Sequence, residues 1–234
     1  MSIWGKLGAA ELLVAGPIGA LLGQRAAIDV PDKKREPTES DLAFTVGVIA
    51  LAAKMAKADG VVTKDEVKAF KTAFKVSDAE MKQAARAFNL AKQNVAGYED
   101  CAEQLVIVFK GNRKILEDVL EGLFHIAKAD AALHPHEEEF LGQVAKRFGL
   151  ADIEFDTIRA RHVVAGKRDP YEVLGLTPSA SDAELERHYR SLLAENRPDE
   201  LIARGVPAEF IAIANEKVAA FTEAFKAIAK QRGI

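Results

Sequence analysis

Residues 169–199 read DPYEVLGLTPSASDAELERHYRSLLAENRPD. Ser181-x-x-Glu184 within them is a capping box: each side chain can take up a backbone amide that a helix start leaves unpaired. Leu185, Tyr189 and Leu192 follow as one helical stripe. Downstream, Ile211, Ala214, Val218, Phe221, Phe225 and Ile228 alternate three and four apart, the pattern of a long second helix. Two such stripes predict an antiparallel helical hairpin that shares one seam. The connection, residues 195–207, is polar and carries Arg197-Pro198-Asp199.

Upstream of this unit, residues 161–168 (RHVVAGKR) read as a hinge, and from 40 to 162 the chain reads as helix after helix. Phe44, Val48, Leu51 and Met55 recur at helical spacing, and Val46 and Ile49 widen the apolar face, which predicts a central helix. Further helices are predicted over 98–109, 113–128 and 136–148, with Pro135 suited to a first turn. Thr63-x-x-Glu66 and Ser77-x-x-Glu80 are two more capping boxes. An internal repeat relates Met55-Ala-Lys-Ala-Asp59 to Ile126-Ala-Lys-Ala-Asp130 at an offset of 71, which also sets Glu66 on Glu137. Each copy reads as a helix end, a short acidic loop and a new helix start; two copies suggest pseudo-symmetry and not a solenoid. The expected fold is all-α, a multi-helix bundle over 40–165 followed by a small helical hairpin over 169–234.

Residues 1–39 form an apolar N-terminal segment and a polar linker. Residues 7–23 are apolar, but Glu11 and Pro17 interrupt them, and a bilayer crossing takes about 20 residues. A carboxylate near the middle costs roughly 2.5–3.5 kcal/mol on insertion scales. Spanning, lying on a membrane surface and packing as a small helix all stay open for residues 1–23. Residues 24–39, with Pro31 and Pro37, read as the linker.

The chain has 234 residues, 49% hydrophobic and 29% charged, with a net charge of −3. That composition is globular, and its sign argues against bulk binding to nucleic acid. A single cysteine, Cys101, excludes an internal disulfide framework and a cysteine zinc cage; its apolar surroundings in sequence predict a buried, inert thiol. No glycine-rich phosphate loop, serine elbow or paired acid/base motif occurs, so no enzyme is expected. No motif encodes the oligomeric state, and a homodimer stays open.

The residues 169–176, the helix over 181–194, the tripeptide 197–199 and the long final helix resemble, in order, the J domain of the DnaJ family. The stretch LIARGVPAEF at 201–210, and a helical domain placed before the hairpin, are similar to the membrane-anchored DjlA type. The resemblance implies a bacterial co-chaperone that docks a DnaK-type heat-shock chaperone and triggers its ATP hydrolysis through a His-Pro-Asp loop. Here the first position is Arg197; Pro198 still fixes φ and Asp199 still offers a carboxylate to a partner cation. The next residue, usually basic in the family, is Glu200. Arg187, His188 and Arg190 stand where the family presents a basic face. Segment 169–234 nevertheless carries eight Lys+Arg against eleven Asp+Glu, so steering toward an acidic partner is expected to be weak. Three readings stay open: an active co-chaperone, a J-like domain that docks but stimulates poorly, and a hairpin kept for structure. The implied location is the cytoplasmic face of the inner membrane, with residues 1–23 as attachment.

Residues 41–165, with Lys-Ala-Asp units at 57–59 and 128–130 and a glutamate seven residues after each aspartate, resemble a TerB-like domain. The resemblance implies acidic sites for a divalent metal, with Asp59 and Glu66 as one pair and Asp130 and Glu137 as the other. The alternative is that each carboxylate caps a helix start, where negative charge meets the positive end of the dipole; Lys57 and Lys128 can neutralise the aspartates beside them. An EF-hand fails because Met55 and Lys57 occupy its front ligand positions. His125, His134 and His136 lie nearby without an evident third ligand, and read as a solvated helix start. The competing function class is a non-stimulating scaffold, or a binding protein that responds to metal or envelope stress through the TerB-like domain.

Overall fold

The computed structural model describes residues 38–59, 68, 71, 76, 81–93, 97–128, 133–162 and 168–234, with backbone alone at 57–59, 81 and 83. The all-helical expectation holds: among the described residues there is no strand. Helix α1 is Glu39–Asp59, α2 Met81–Gln93, α3 Tyr98–Val108, α4 Arg113–Ala127, α5 Pro135–Arg147 and α6 Asp152–His162. Then come α7 Pro170–Leu174, α8 Asp182–Glu195, α9 Pro198–Ala203, a 3-10 turn Ala208–Phe210 and α10 Ile211–Arg232.

Helix α1 is apolar around its whole circumference, from Leu42 through Phe44, Val48, Ile49 and Leu51 to Met55, all buried. A helix of that kind must be surrounded, and α2, α3, α4 and α5 pack on it. Its start is fixed by Thr38, whose hydroxyl accepts from the Asp41 N–H at 3.2 Å while the Asp41 carboxylate accepts from the Thr38 N–H at 2.6 Å. The capping boxes at 63–66 and 77–80 lie outside the described residues. Pro135 does occupy the first turn of α5.

Among the described residues two hydrophobic cores result. The first joins α1–α5 and Ile158 of α6, and is completed by Leu201, Val206, Phe210, Ile213 and Ala214. The second joins Val173, Leu174, Leu185, Phe221, Ala224 and Ile228, and includes Ala160 of α6. The single seam expected along α10 is therefore divided: its first turn closes the core of the preceding bundle, and only the remainder faces α8. The 195–207 connection is likewise more than a polar loop, since it contains α9 and buries Leu201 and Val206. The hinge read over 161–168 is shortened, because Arg161 and His162 end α6 and are largely buried; residues 163–167 lie outside the described residues.

Phe210 is the principal wedge. Its ring meets Phe44 edge-on, with centroids 4.7 Å apart. On the other side it lies against Gly122, where a Cβ would sit 2.5 Å from Phe210 Cε1. Glycine is required there by close approach, although it sits inside a helix where it costs about 0.5–1 kcal/mol relative to alanine. Gly142→Ala, whose Cβ would meet Phe155 no closer than 3.6 Å, is the matched control. In urea denaturation Gly122→Ala should lose about 1–3 kcal/mol through overpacking, whereas Gly142→Ala should gain about 0.5–1 kcal/mol.

Candidate functional site

Helix α8 and the turn after it hold the candidate docking residues. The Ser181/Glu184 capping box forms as the sequence predicts: the Ser181 N–H donates to Glu184 Oε2 at 2.8 Å, and the Glu184 N–H donates to Ser181 Oγ at 3.3 Å. The Ser181 N–H and, at 2.8 Å, the Ser181 hydroxyl both donate to the exposed Glu184 carboxylate and hold it below its usual range. Tyr189 stacks on Phe225 with centroids 4.3 Å apart, and Leu185 is fully buried beneath. At the far end Arg232 ties the 177–182 turn in place: Nε donates to Tyr171 Oη at 3.0 Å, and Nη1 donates to the Ala180 carbonyl at 2.7 Å.

Of the three basic residues on α8, Arg187 is exposed. Arg190 is exposed but spans back to Glu186 at 2.9 Å. His188 turns inward, with Nε2 2.8 Å from the Leu174 carbonyl, and so joins α8 to α7. The basic face is thereby thinner than the sequence pattern suggests.

Asn196 caps the end of α8, its amide Nδ2 donating to the Leu192 carbonyl at 2.8 Å. Arg197 is the N-cap residue of α9, and Pro198 takes the first helical position, where its missing N–H is harmless. The Arg197 side chain folds back on Asp199: Nε donates to Oδ1 at 3.2 Å and Nη2 to Oδ2 at 3.0 Å. Both side chains are more than three-fifths exposed. The carboxylate at the third position of the tripeptide is thus held in a two-pronged fork by the residue at its first position.

Behind the tripeptide lies a buried ion cluster that the sequence reading did not find. Asp118 and Glu121 of α4 are 6% and 3% exposed. Asp118 accepts from Arg204 Nε at 2.8 Å and lies 3.3 Å from Lys217 Nζ of α10. Glu121 accepts from Arg161 Nη1 and lies 2.7 Å from His162 Nε2 and 3.7 Å from Lys217 Nζ. Burial pushes the Glu121 carboxyl up, but Arg161, Lys217 and His162 outweigh it and hold the group well below the usual carboxylate range. Removing one partner from such a cluster costs about 3–5 kcal/mol, because a buried charge is left uncompensated. The available sequence signal was a pair of carboxylates beside the Ile115, Val119, Leu123 and Ile126 stripe of α4. That polar flank reads as solvent-facing, and the later helix that covers it is remote in sequence.

Of the four carboxylates of the metal expectation, Glu137 alone lies among the described side chains. The Asp59 side chain, Glu66 and Asp130 lie outside them. Glu137 is buried and accepts the His134 N–H at 2.9 Å, the cap of α5. Among the described residues no group of three or more His, Cys, Asp or Glu side chains is placed to hold a metal ion. His125 is not part of a solvated helix start but sits in the last turn of α4, 3.3 Å from Glu216. Lys128 also reaches Glu216, at 3.4 Å. The close approach of His125, with Lys128 beside it, brings the Glu216 carboxyl down to about 2. Cys101 is buried, and burial pushes its thiol up to about 11.

Residues 45–160 match the family described as tellurite resistance protein TerB. The bundle therefore places the chain among helical TerB-domain proteins. Wider similarity is more specific. Co-chaperone protein DjlA of Photobacterium profundum is 28% identical over 224 residues, covering 83% of this chain and 80% of that protein. Co-chaperone protein DjlA of Vibrio cholerae is 29% identical over 226 residues, covering 82% and 78%. That of Coxiella burnetii is 24% identical over 255 residues, covering 95% and 94%. No solved structure shows significant similarity. Over most of its length the chain is similar to DjlA-type proteins, and its bundle is similar to the TerB domain.

Burial lowers the proton affinity of His162 against the pull of Glu121, and its ring stacks on Phe124 at 5.0 Å. A base that binds its proton less well folded than unfolded weakens folding as pH drops below its ordinary value of 6.5. Glu121, lowered in the folded state, adds a second loss as pH falls below 4.5. The melting temperature should therefore decline between about pH 7 and 5 and then more steeply below. His162→Gln, which keeps an amide to donate to Glu121, should flatten the first part alone. A parent profile that is level from about pH 7 to 5 rules this assignment out.

Proposed function

We propose that this protein is a co-chaperone that docks a DnaK-type heat-shock chaperone through α8 and the Arg197-Pro198-Asp199 turn. The observation that carries the reading is the placement of that tripeptide, exposed at the junction of α8 and α9 on the hairpin whose sequence resembles a J domain. The naming of the relatives as co-chaperones, over most of their length, supports it. In this reading Arg187 and Arg190 supply the exposed cations of the docking face. His188 sets the angle between α7 and α8, Pro198 fixes the turn, and Asp199 is the carboxylate that meets a cation on the partner. Residues 1–23 attach the protein to the cytoplasmic face of the inner membrane. Among the described residues no helix is long and apolar enough to cross a membrane.

The fork from Arg197 to Asp199 bears directly on output. A carboxylate held by an intramolecular guanidinium must exchange that partner for the chaperone's cation. An exposed pair is worth about 0–1 kcal/mol, so docking survives and stimulation is reduced. The fork is also the observation that favours the second reading, a docking scaffold that does not stimulate.

The test is steady-state ATP hydrolysis by the cognate DnaK-type chaperone, with the full chain as written, with Arg197→His and with Asp199→Asn. Weak stimulation by the parent, rising about fivefold in Arg197→His, is expected from release of a pair worth ~1 kcal/mol. Asp199→Asn should remove the stimulation. Binding without stimulation by either the parent or Arg197→His transfers the protein to the scaffold reading; absence of binding overturns both.

A further inference from the structure

We infer that Arg204, held by Asp118 of α4, is a positioning residue for the tripeptide turn, so that chaperone activation is set by the TerB bundle as well as by the hairpin. The inference rests on the docking function proposed above.

Arg204 is the C-cap residue of α9, and its side chain is 15% exposed. One guanidinium makes two kinds of contact. Nε donates to Asp118 Oδ2 at 2.8 Å, with Nη2 2.7 Å from the same oxygen. Nη1 donates to the backbone carbonyl of Glu195 at 2.9 Å. Glu195 is the last residue of α8, so a single planar group joins the end of α8, the end of α9 and the bundle. A second tie runs parallel to it. Lys114 Nζ, one helical turn before Asp118 on α4, lies 3.0 Å from Glu195 Oε2. Ser191 Oγ donates to the other oxygen of that carboxylate at 3.0 Å.

The tripeptide lies between these two attachment points. Immediately beyond Arg204 the chain turns at Gly205 with φ of +99°, then buries Val206 and Phe210 in the bundle core. Leu201, between the tripeptide and Arg204, is buried in the same core. The Arg204 guanidinium that takes the Glu195 carbonyl is itself held by Asp118, so the angle at which the turn leaves α8 follows α4. None of Asp118, Arg204 and Lys114 belongs to the proposed docking face. Their effect on a chaperone is through the turn they hold.

Arg204→Lys separates positioning from stability. A lysine keeps the ion pair to Asp118 but has no planar fork to reach the Glu195 carbonyl at the same time. The experiment uses the full chain in the Arg197→His form, with chaperone ATPase measured against co-chaperone concentration. Arg204→Lys should leave the half-saturating concentration within about twofold, while maximal stimulation falls by about two- to thirtyfold, the range for residues in a coupling element. Amide hydrogen exchange should quicken over residues 197–203 and stay unchanged in α4 and over 185–192. Lys114→Ala, at an exposed position where no buried charge is stranded, should give a smaller fall in the same maximal rate. Full maximal stimulation by Arg204→Lys overturns the inference, as does unchanged exchange over 197–203. If Arg197→His itself fails to stimulate, the co-chaperone reading has failed, and the exchange measurement alone decides whether Arg204 holds the turn.

Discussion

Two carboxylates on one helix, Asp118 and Glu121 of α4, lie almost entirely out of water. A charge so placed is tolerated only with cations in hydrogen-bonding reach. Here the cations come from three separate parts of the chain: Arg161 at the end of α6, Arg204 at the end of α9 and Lys217 in α10. Meeting that electrostatic demand brings the hairpin against the bundle in one arrangement. Apolar contact reinforces it, with Phe210 between Phe44 and Gly122. Pairs of this kind add little net stability over a well-packed apolar replacement; what they add is geometry, since a sliding or rotated interface strands a charge.

The proposed docking region inherits that geometry. Helix α8 is fixed on one side by its packing on α7 and α10, through Leu185, Tyr189 and the inward-turned His188. The turn beyond it is fixed by α4. What remains exposed for a partner is modest in charge, because Arg190 is shared with Glu186 and Arg197 with Asp199. In the docking function proposed above, recognition depends more on the shape and angle of the turn than on long-range attraction, which in a segment with a net charge of −3 is weak from the outset.

What could be read in the sequence is what was local. The capping box at Ser181, the proline at the start of α5 and the apolar circumference of α1 each follow from residues within a few positions of one another. The bounds expected for the helices near 98, 113 and 136 lie within one residue of those observed. What could not be read depends on residues far apart. Asp118 and Glu121 flank an apolar stripe and resemble a solvated edge until α10 is laid over them. Leu201 and Val206 sit in a stretch whose composition is polar, yet each faces the bundle. The inward turn of His188 and the fork between Arg197 and Asp199 depend on side-chain direction, to which residue spacing is blind. Glu137 was legible both as a ligand and as a cap, and its hydrogen bond to the His134 N–H is that of a cap.

The division of α10 between two cores has a consequence for synthesis. The first core is built mostly from residues before 160, but Leu201, Val206, Phe210 and Ile213 close it. A chain growing from its N-terminus makes the bundle helices long before it makes their last wall. During that interval Phe44 and the Gly122 groove face outward, an apolar opening on a nearly finished body. The bundle is sealed from its C-terminal side, and it is the element leading out of the tripeptide turn that seals it.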